Sequence, residues 1–384
     1  MRKWKQIGAC CLTAVLAVSG PAATVWAGSP EFARTPEEWA KLRDNVMEYD
    51  ELSGLIHEYN VTVQKNQLDI NDKKKDDRVT SDQYAQYYRD AASDARGAIT
   101  GDSAIADANS AVAAAQADES ADKNTEDLTV HQLTYDQQEA NLVSTAQSSM
   151  ISYFQQLLEL QSAKDSLEFL EAQYQSTLLK QSESVGMATL SDVLAAKESV
   201  QTIQASIEKL NGSIEETRQK LCIMLGWKYN DSPEIRDIPE VDMERIAAMN
   251  PETDKEAALS NNYTLKINKR KLGNATAEIT KSTLTRTISS NEQNINSDLV
   301  KSYQAVLQAK ASYEQAVAEF ELESKNMDTA ERKQSVGSLS RLDYMKQKNA
   351  FNTKNINVKK AQLTLFQAIQ TYDNAVNGLA SAGG

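Results

Sequence analysis

From Val193 to Met224, apolar residues return at alternating steps of three and four. Val193, Ala196, Val200, Ile203, Ile207, Leu210, Ile214, Thr217, Leu221 and Met224 form one stripe, with Glu, Lys and Gln between them. A seven-residue period held this long predicts a helix of about 35 residues, roughly 50 Å, packed as a left-handed coiled coil. Gly212 weakens the pattern slightly, and the helix is expected to stop near Gly226, ahead of the proline-bearing stretch Asp231 to Pro239. Adding 151 to each position gives Tyr344, Gln347, Phe351, Lys354, Val358, Ala361, Leu365, Ala368, Tyr372 and Ala375. This second stripe is weaker, with Gln347 and Lys354 in it, and again ends near a glycine, Gly378.

Each stripe is preceded by another long helical pattern. Leu133 to Lys180 carries a broad apolar face without Gly or Pro, and its counterpart runs from about Asn294 to Lys333. Faces this broad predict two neighbours rather than one. Between the helices of each pair lies a short turn. SVGMATLSDV spans Ser184 to Val193, and SVGSLSRLDY spans Ser335 to Tyr344. The chain therefore reads as two αα-hairpins, each with long antiparallel arms. The leading segments also match, since Tyr59-Asn60-Val61-Thr62-Val63 resembles Asn261-Asn262-Tyr263-Thr264-Leu265, but at an offset of 202. The first repeat thus holds roughly fifty extra residues, within 73–127. They are rich in Ala, Asp and Ser, and we expect them to be weakly helical or disordered, and unable to build a core. The division expected is 28–240 and 241–384, after a leader at 1–27.

The leader is read from Arg2, Lys3 and Lys5, a short apolar run, and small residues ending at Ala27. An exported chain cut there keeps one cysteine, Cys222, so no intramolecular disulfide can form and packing must supply stability. Cys222 sits in the apolar run LCIML and reads as a buried small hydrophobe. The formal net charge of −13 becomes about −16 by subtraction of the three basic leader residues. That argues against nucleic acid or an anionic lipid surface as a partner. No HExxH, CxxC, GxSxG or phosphate loop is present, and the two histidines, His57 and His131, read as surface residues. No catalytic, cofactor or metal site is expected.

The whole pattern resembles the TolC family of outer-membrane efflux proteins. Val185-Gly186 followed by Asp192, and Val336-Gly337 followed by Asp343, stand where that family's periplasmic tip turns stand. The resemblance implies an all-α protomer of two repeated coiled-coil hairpins. It implies a homotrimer closing into a hollow α-barrel, and docking of the tips to a periplasmic adaptor and an inner-membrane pump. The implied docking residues are Val185, Gly186, Leu190, Asp192, Val336, Gly337, Leu339, Arg341 and Asp343. The family also pools two-stranded hairpins into a membrane barrel. A membrane strand needs about ten alternating residues, and only Ser282 to Ser289 (STLTRTIS) is a candidate here, short and hydrophilic. The barrel hairpins are therefore expected to be missing or replaced by helix. Well-known members carry two aspartates at i, i+3 in the second tip. The first matches Asp343, while Lys346 holds the second place, and Leu339 holds that of a neighbouring arginine. A helix-capping role for both aspartates competes with a gating role. The expected location is the cell envelope. A barrel-less scaffold or spacer is the alternative function.

Overall fold

A computed structural model of the chain describes residue 29 and residues 33–183 and 187–383. The expected leader at 1–27 lies outside the described residues.

Four long helices carry the architecture. They are α6 (Leu128–Glu183), α7 (Leu190–Met224), α11 (Glu278–Ser335) and α12 (Arg341–Asn374). At 1.5 Å per residue, α6 and α11 are about 84 and 87 Å long, and α7 and α12 about 50 Å. All ten residues of each predicted stripe are buried or half-buried. The two polar members of the second stripe are satisfied across it: Lys354 pairs with Glu319 at 2.7 Å, and Gln347 donates to Glu323. The helices lie in a row, α7–α6–α12–α11, with α6 packing on both α7 and α12. The breadth expected of α6 is thus used. The sequence reading gave α12 a single seam, yet it has a second face toward α6, where Ile356 and Phe366 are buried.

Above the shorter helices, each repeat stacks a pair of leading helices against its long one. In the first repeat these are α2 (Leu52–Tyr59) and α3 (Val61–Lys75), in the second α9 (Pro251–Asn261) and α10 (Tyr263–Asn274). Asn60 and Asn262 break these pairs. Asn60 caps α3 by accepting from Thr62 and Val63, and its amide donates to the Met224 carbonyl at the end of α7. Asn262 caps α10 by accepting from Leu265, and donates to the Gly378 and Ala380 carbonyls beyond α12. Gly378 has φ +114°, and a Cβ there would stand 2.6 Å from the Asn261 carbonyl oxygen. Only glycine lets the chain end close against this junction. Around the first junction lies a core of Trp39, Met47, Leu52, Leu55, Ile56, Met150, Ile151 and Leu221. Around the second lie Leu265, Ile295, Leu299, Leu365 and Tyr372. Trp39 comes from α1 (Pro36–Leu42), and α8 (Met243–Ala248) adds Ile246 to the second core.

One expectation needs correction. Residues 73–127 are not weakly structured. They form a helical hairpin, α4 (Ser81–Gly97) and α5 (Ala104–Asp122), built on close alanine packing with Ala85, Ala92, Ala114 and Ala121 buried. Few large residues are needed when two helices approach this closely, and a Thr80–Gln83 capping box starts the first. The strand candidate Ser282–Ser289 lies inside α11. Its buried side follows a helical spacing, with Leu284, Thr287 and Ile288 half-buried ahead of the buried Asn291 and Ile295. Its exposed Thr283 and Thr285 hydroxyls donate back to the Ile279 and Lys281 carbonyls. Among the described residues the only strands are β1 (Val46–Met47) and β2 (Glu234–Ile235), a short parallel pair. The expected replacement of the barrel hairpins by helix is what the described residues show.

Candidate functional site

The two hairpin turns lie at the same end of the row. Side chains joining α6 to α12 run antiparallel: Asn374 to Ser144, Lys360 to Glu159, Lys348 to Glu168, and Ser166 to Asn349. The end of α6 therefore sits beside the end of α11, and both chain reversals share one tip.

In the second tip, the Gly337 amide donates to the Gln334 carbonyl and the Ser338 amide to the Lys333 carbonyl. With φ +75° at Gly337, this is a Schellman closure of α11. Ser340 then caps α12: its hydroxyl accepts from the Asp343 amide at 3.1 Å and donates to the Asp343 carboxylate at 2.7 Å. The first tip repeats the cap. Thr189 accepts from the Asp192 amide, and both its amide and its hydroxyl donate to the Asp192 carboxylate at 2.8 Å. These bonds hold the Asp192 carboxyl below the usual carboxylate range, the Thr189 backbone amide contributing most. Both aspartates therefore act as the third residue of a helix cap. The sequence reading singled out the aspartates and passed over Thr189 and Ser340. The T-x-x-D and S-x-x-D spacing carried that signal.

Around the caps the surface is apolar. Leu190, the first residue of α7, is 62% exposed, and Leu194 one turn later is 57% exposed. Met187 and Val336 are also well exposed, and Leu339 is half-buried. Arg332, Lys333, Arg341 and Lys346 are exposed around the second tip beside Glu331 and Asp343, so its charge is mixed with a basic excess. Val185 and Gly186 lie outside the described residues.

Nothing else gathers the other candidate chemistry. Among the described residues no group of three or more His, Cys, Asp or Glu could hold a metal ion, and no helix is long and apolar enough to cross a membrane. Cys222 is fully buried, and burial pushes its thiol up. The histidines depart from the surface reading, as both are half-buried. His57 meets Glu139 at 2.8 Å, and His131 stacks on Tyr84 with ring centroids 5.4 Å apart.

No protein-family model matches the sequence, and no curated protein matches it. Solved structures match in shape. The outer-membrane channel OprN has a TM-score of 0.53 at 14% identity, over 88% of this chain and 92% of that one. The chain has a TolC-like fold. A membrane protein from Pseudomonas aeruginosa gives 0.52 at 12% identity, over 88% and 91%. Within this fold, the paired tips fall at one end of the long helices. The α4–α5 hairpin falls at the other, bound at its base to the end of α10 and the link to α11: Thr276 donates to the Asp122 carbonyl, and Asn274 to that of Thr125.

Proposed function

We propose that the protein is the exit-duct component of an envelope export system. In this reading it forms an oligomeric helical conduit, a trimer by its resemblance, and docks through its tips to an adaptor and pump. It works without a catalytic step. The observation that carries the reading is the tip. Two capped reversals lie side by side, and each presents exposed apolar side chains that the caps do not need. Surfaces of this kind suit contact with another protein. The outer helices of the row, α7 and α11, support the oligomer, since they leave large apolar side chains such as Leu194, Leu307 and Leu322 exposed for a next protomer. Charging the tip tests the reading. Leu190→Asp or Leu339→Asp should abolish adaptor binding or export while leaving helicity and oligomer size unchanged. Normal binding and export in both variants would reduce the tips to chain-reversal devices.

A second reading is a barrel-less scaffold or spacer of the cell envelope. The helices that fill the place of the membrane hairpins favour it. Light scattering separates the two: a stable monomer with and without detergent supports the spacer, and a closed multimer supports the conduit.

A further inference from the structure

Ser29, the first described residue, is held by a buried carboxylate. Glu58, near the end of α2, is 2% exposed. Its Oε2 accepts the Ser29 amide at 2.9 Å, and its Oε1 accepts Arg34 Nε at 3.0 Å. Burial pushes the Glu58 carboxyl up, but the Ser29 amide and Arg34 outweigh it, and the group sits below the usual carboxylate range.

Ser29 also forms part of the wall of a cavity of about 400 Å³ between α3 and α6. Asp136 and Glu139 of α6 line the same cavity, and no lysine or arginine does. Glu139 meets His57 at 2.8 Å. Asp136 has no ion-pair partner among the described residues. Burial and Glu139 push its carboxyl up, with Lys266 opposing from α10. Tyr135 is turned to Asp69 and adds no positive charge. Three carboxylates thus surround Ser29, against Arg34 and a titratable His57.

Covalent geometry supplies the link. A trans peptide puts the preceding Cα on the same side of the C–N bond as the amide hydrogen. The Ser29 hydrogen is aimed at Glu58, so a nitrogen one residue earlier can come within ion-pair reach of that carboxylate. Pro30 follows Ser29 in the sequence and biases it toward extended backbone, which limits the entropy lost in holding it. The residue before Ser29 is Gly28, outside the described residues, and the leader reading cuts the chain immediately before it.

We propose that Glu58, with Asp136 and Glu139 of the adjoining cavity, is a binding site for the α-ammonium group that leader removal creates at Gly28. In the uncut chain that nitrogen is a neutral amide. After cleavage it is a cation with three donors, which suits an acid-lined site without lysine or arginine. The site therefore distinguishes the processed chain from its precursor. It does so two residues before Asn60, so cleavage tightens the first junction. The proposal rests on the leader reading and is independent of the conduit reading.

The test compares the mature chain beginning at Gly28 with the same chain acetylated at that nitrogen. Reductive ¹³C-methylation keeps the amine charged and reports its pKa by NMR. In the folded chain it should titrate at least about one unit above its value in urea. Asp136→Asn and Glu58→Gln should each reduce that shift, and Glu171→Gln, exposed elsewhere on α6, should not. Asp136 keeps the test sound if Glu58→Gln disturbs the fold. A raised value adds stability that is full below the unfolded value of about 8 and is lost as pH rises through the folded one. The free chain should therefore melt above the acetylated one at pH 7, with the gap closing in alkali. An ordinary amine pKa, or equal melting at pH 7, would overturn the site. N-terminal sequencing of the exported protein checks the cut separately: a first residue other than Gly28 would overturn the link to processing.

Discussion

The two repeats are alike where their helices end and unlike at their far end. Asn60 and Asn262 make the same junction: each starts a helix with its side-chain oxygen and ties down the end of a returning helix with its amide. At the far end, the second repeat passes from α10 to α11 through Ala275–Ala277 alone, whereas the first inserts the whole α4–α5 hairpin. The difference is not a free appendage. Asp127, which caps α6 by accepting from Val130, also binds Arg270 of α10, and Lys271 pairs with Glu126. The short link of one repeat is thus braced by the long insert of the other. Junctions that both repeats need are preserved, and the end that no second repeat element must match is free to differ.

The largest effect should come from breaking one junction at a time. Asn262 is 1% exposed and satisfies two carbonyls and an amide, while Asn60 is 7% exposed and satisfies one carbonyl and two amides. Replacing either by leucine leaves buried backbone groups unpaired and removes a cap. We expect Asn262→Leu to cost about 4 kcal/mol and Asn60→Leu about 3 kcal/mol, read by urea denaturation. Equal costs would show that the junctions are interchangeable, and a reversed order would show that the first is the stronger.

The far-end difference is sharpened by overpacking the insert. Ala92 is fully buried between α4 and α5. Ala92→Leu should destabilise the hairpin by about 2 kcal/mol, with amide exchange speeding up in 81–122 and not at the Asn262 junction. Faster exchange at both would mean that the insert and the second repeat unfold as one unit.

How far these parts could be read in advance follows from their physics. The α7 and α12 seams were legible because a seven-residue period over some 30 residues has few alternative meanings. Gly226 and Gly378 were legible as stops, and both take positive φ. The α4–α5 hairpin was not legible, because alanine packs by closeness of approach and leaves no large-residue stripe to find. Ser282–Ser289 was strand-like only in composition: Thr and Ile favour strands, but Leu284 and Ile288 sit one helical turn apart. The second face of α12 was hidden for a different reason. Ile356 and Phe366 contact α6, a partner that a single-helix period cannot announce. At the tips, the turns could be seen, and the T-x-x-D and S-x-x-D spacing at Thr189–Asp192 and Ser340–Asp343 already carried the caps that the side-chain bonds form.

The tips are the places where the repeats should agree again. Thr189→Ala and Ser340→Ala each remove one capping hydroxyl, and each should cost about 1 kcal/mol. A large inequality in thermal unfolding would show that one tip does more than reverse the chain.

The smallest effect concerns pH, and it belongs to the first repeat alone, because both histidines lie there. His57 is held above the usual histidine value, chiefly by its hydrogen bond to Glu139, against burial and Arg34. A raised folded value adds stability that is full below about pH 6.5 and is lost as pH rises through that folded value. His131 is held below the usual value, chiefly by burial, with Lys73 and Lys271 adding to the effect and Glu126 and Asp69 opposing it. Its neutral ring stacks on Tyr84 and lies near Tyr135. Stability from this group is full above about pH 6.5 and falls away as pH drops through its lowered folded value. In the intact protein the two trends oppose each other, so the net slope near neutral pH should be shallow. Single variants should separate them. His57→Gln should lose stability relative to the parent mainly at acid pH, whereas His131→Gln should narrow its deficit, or gain, as pH falls. Denaturation series across this range read both signs. Two variants with the same pH trend would show that one histidine's surroundings differ from those described here, and would place the pH response outside the first repeat's junction and hairpin base.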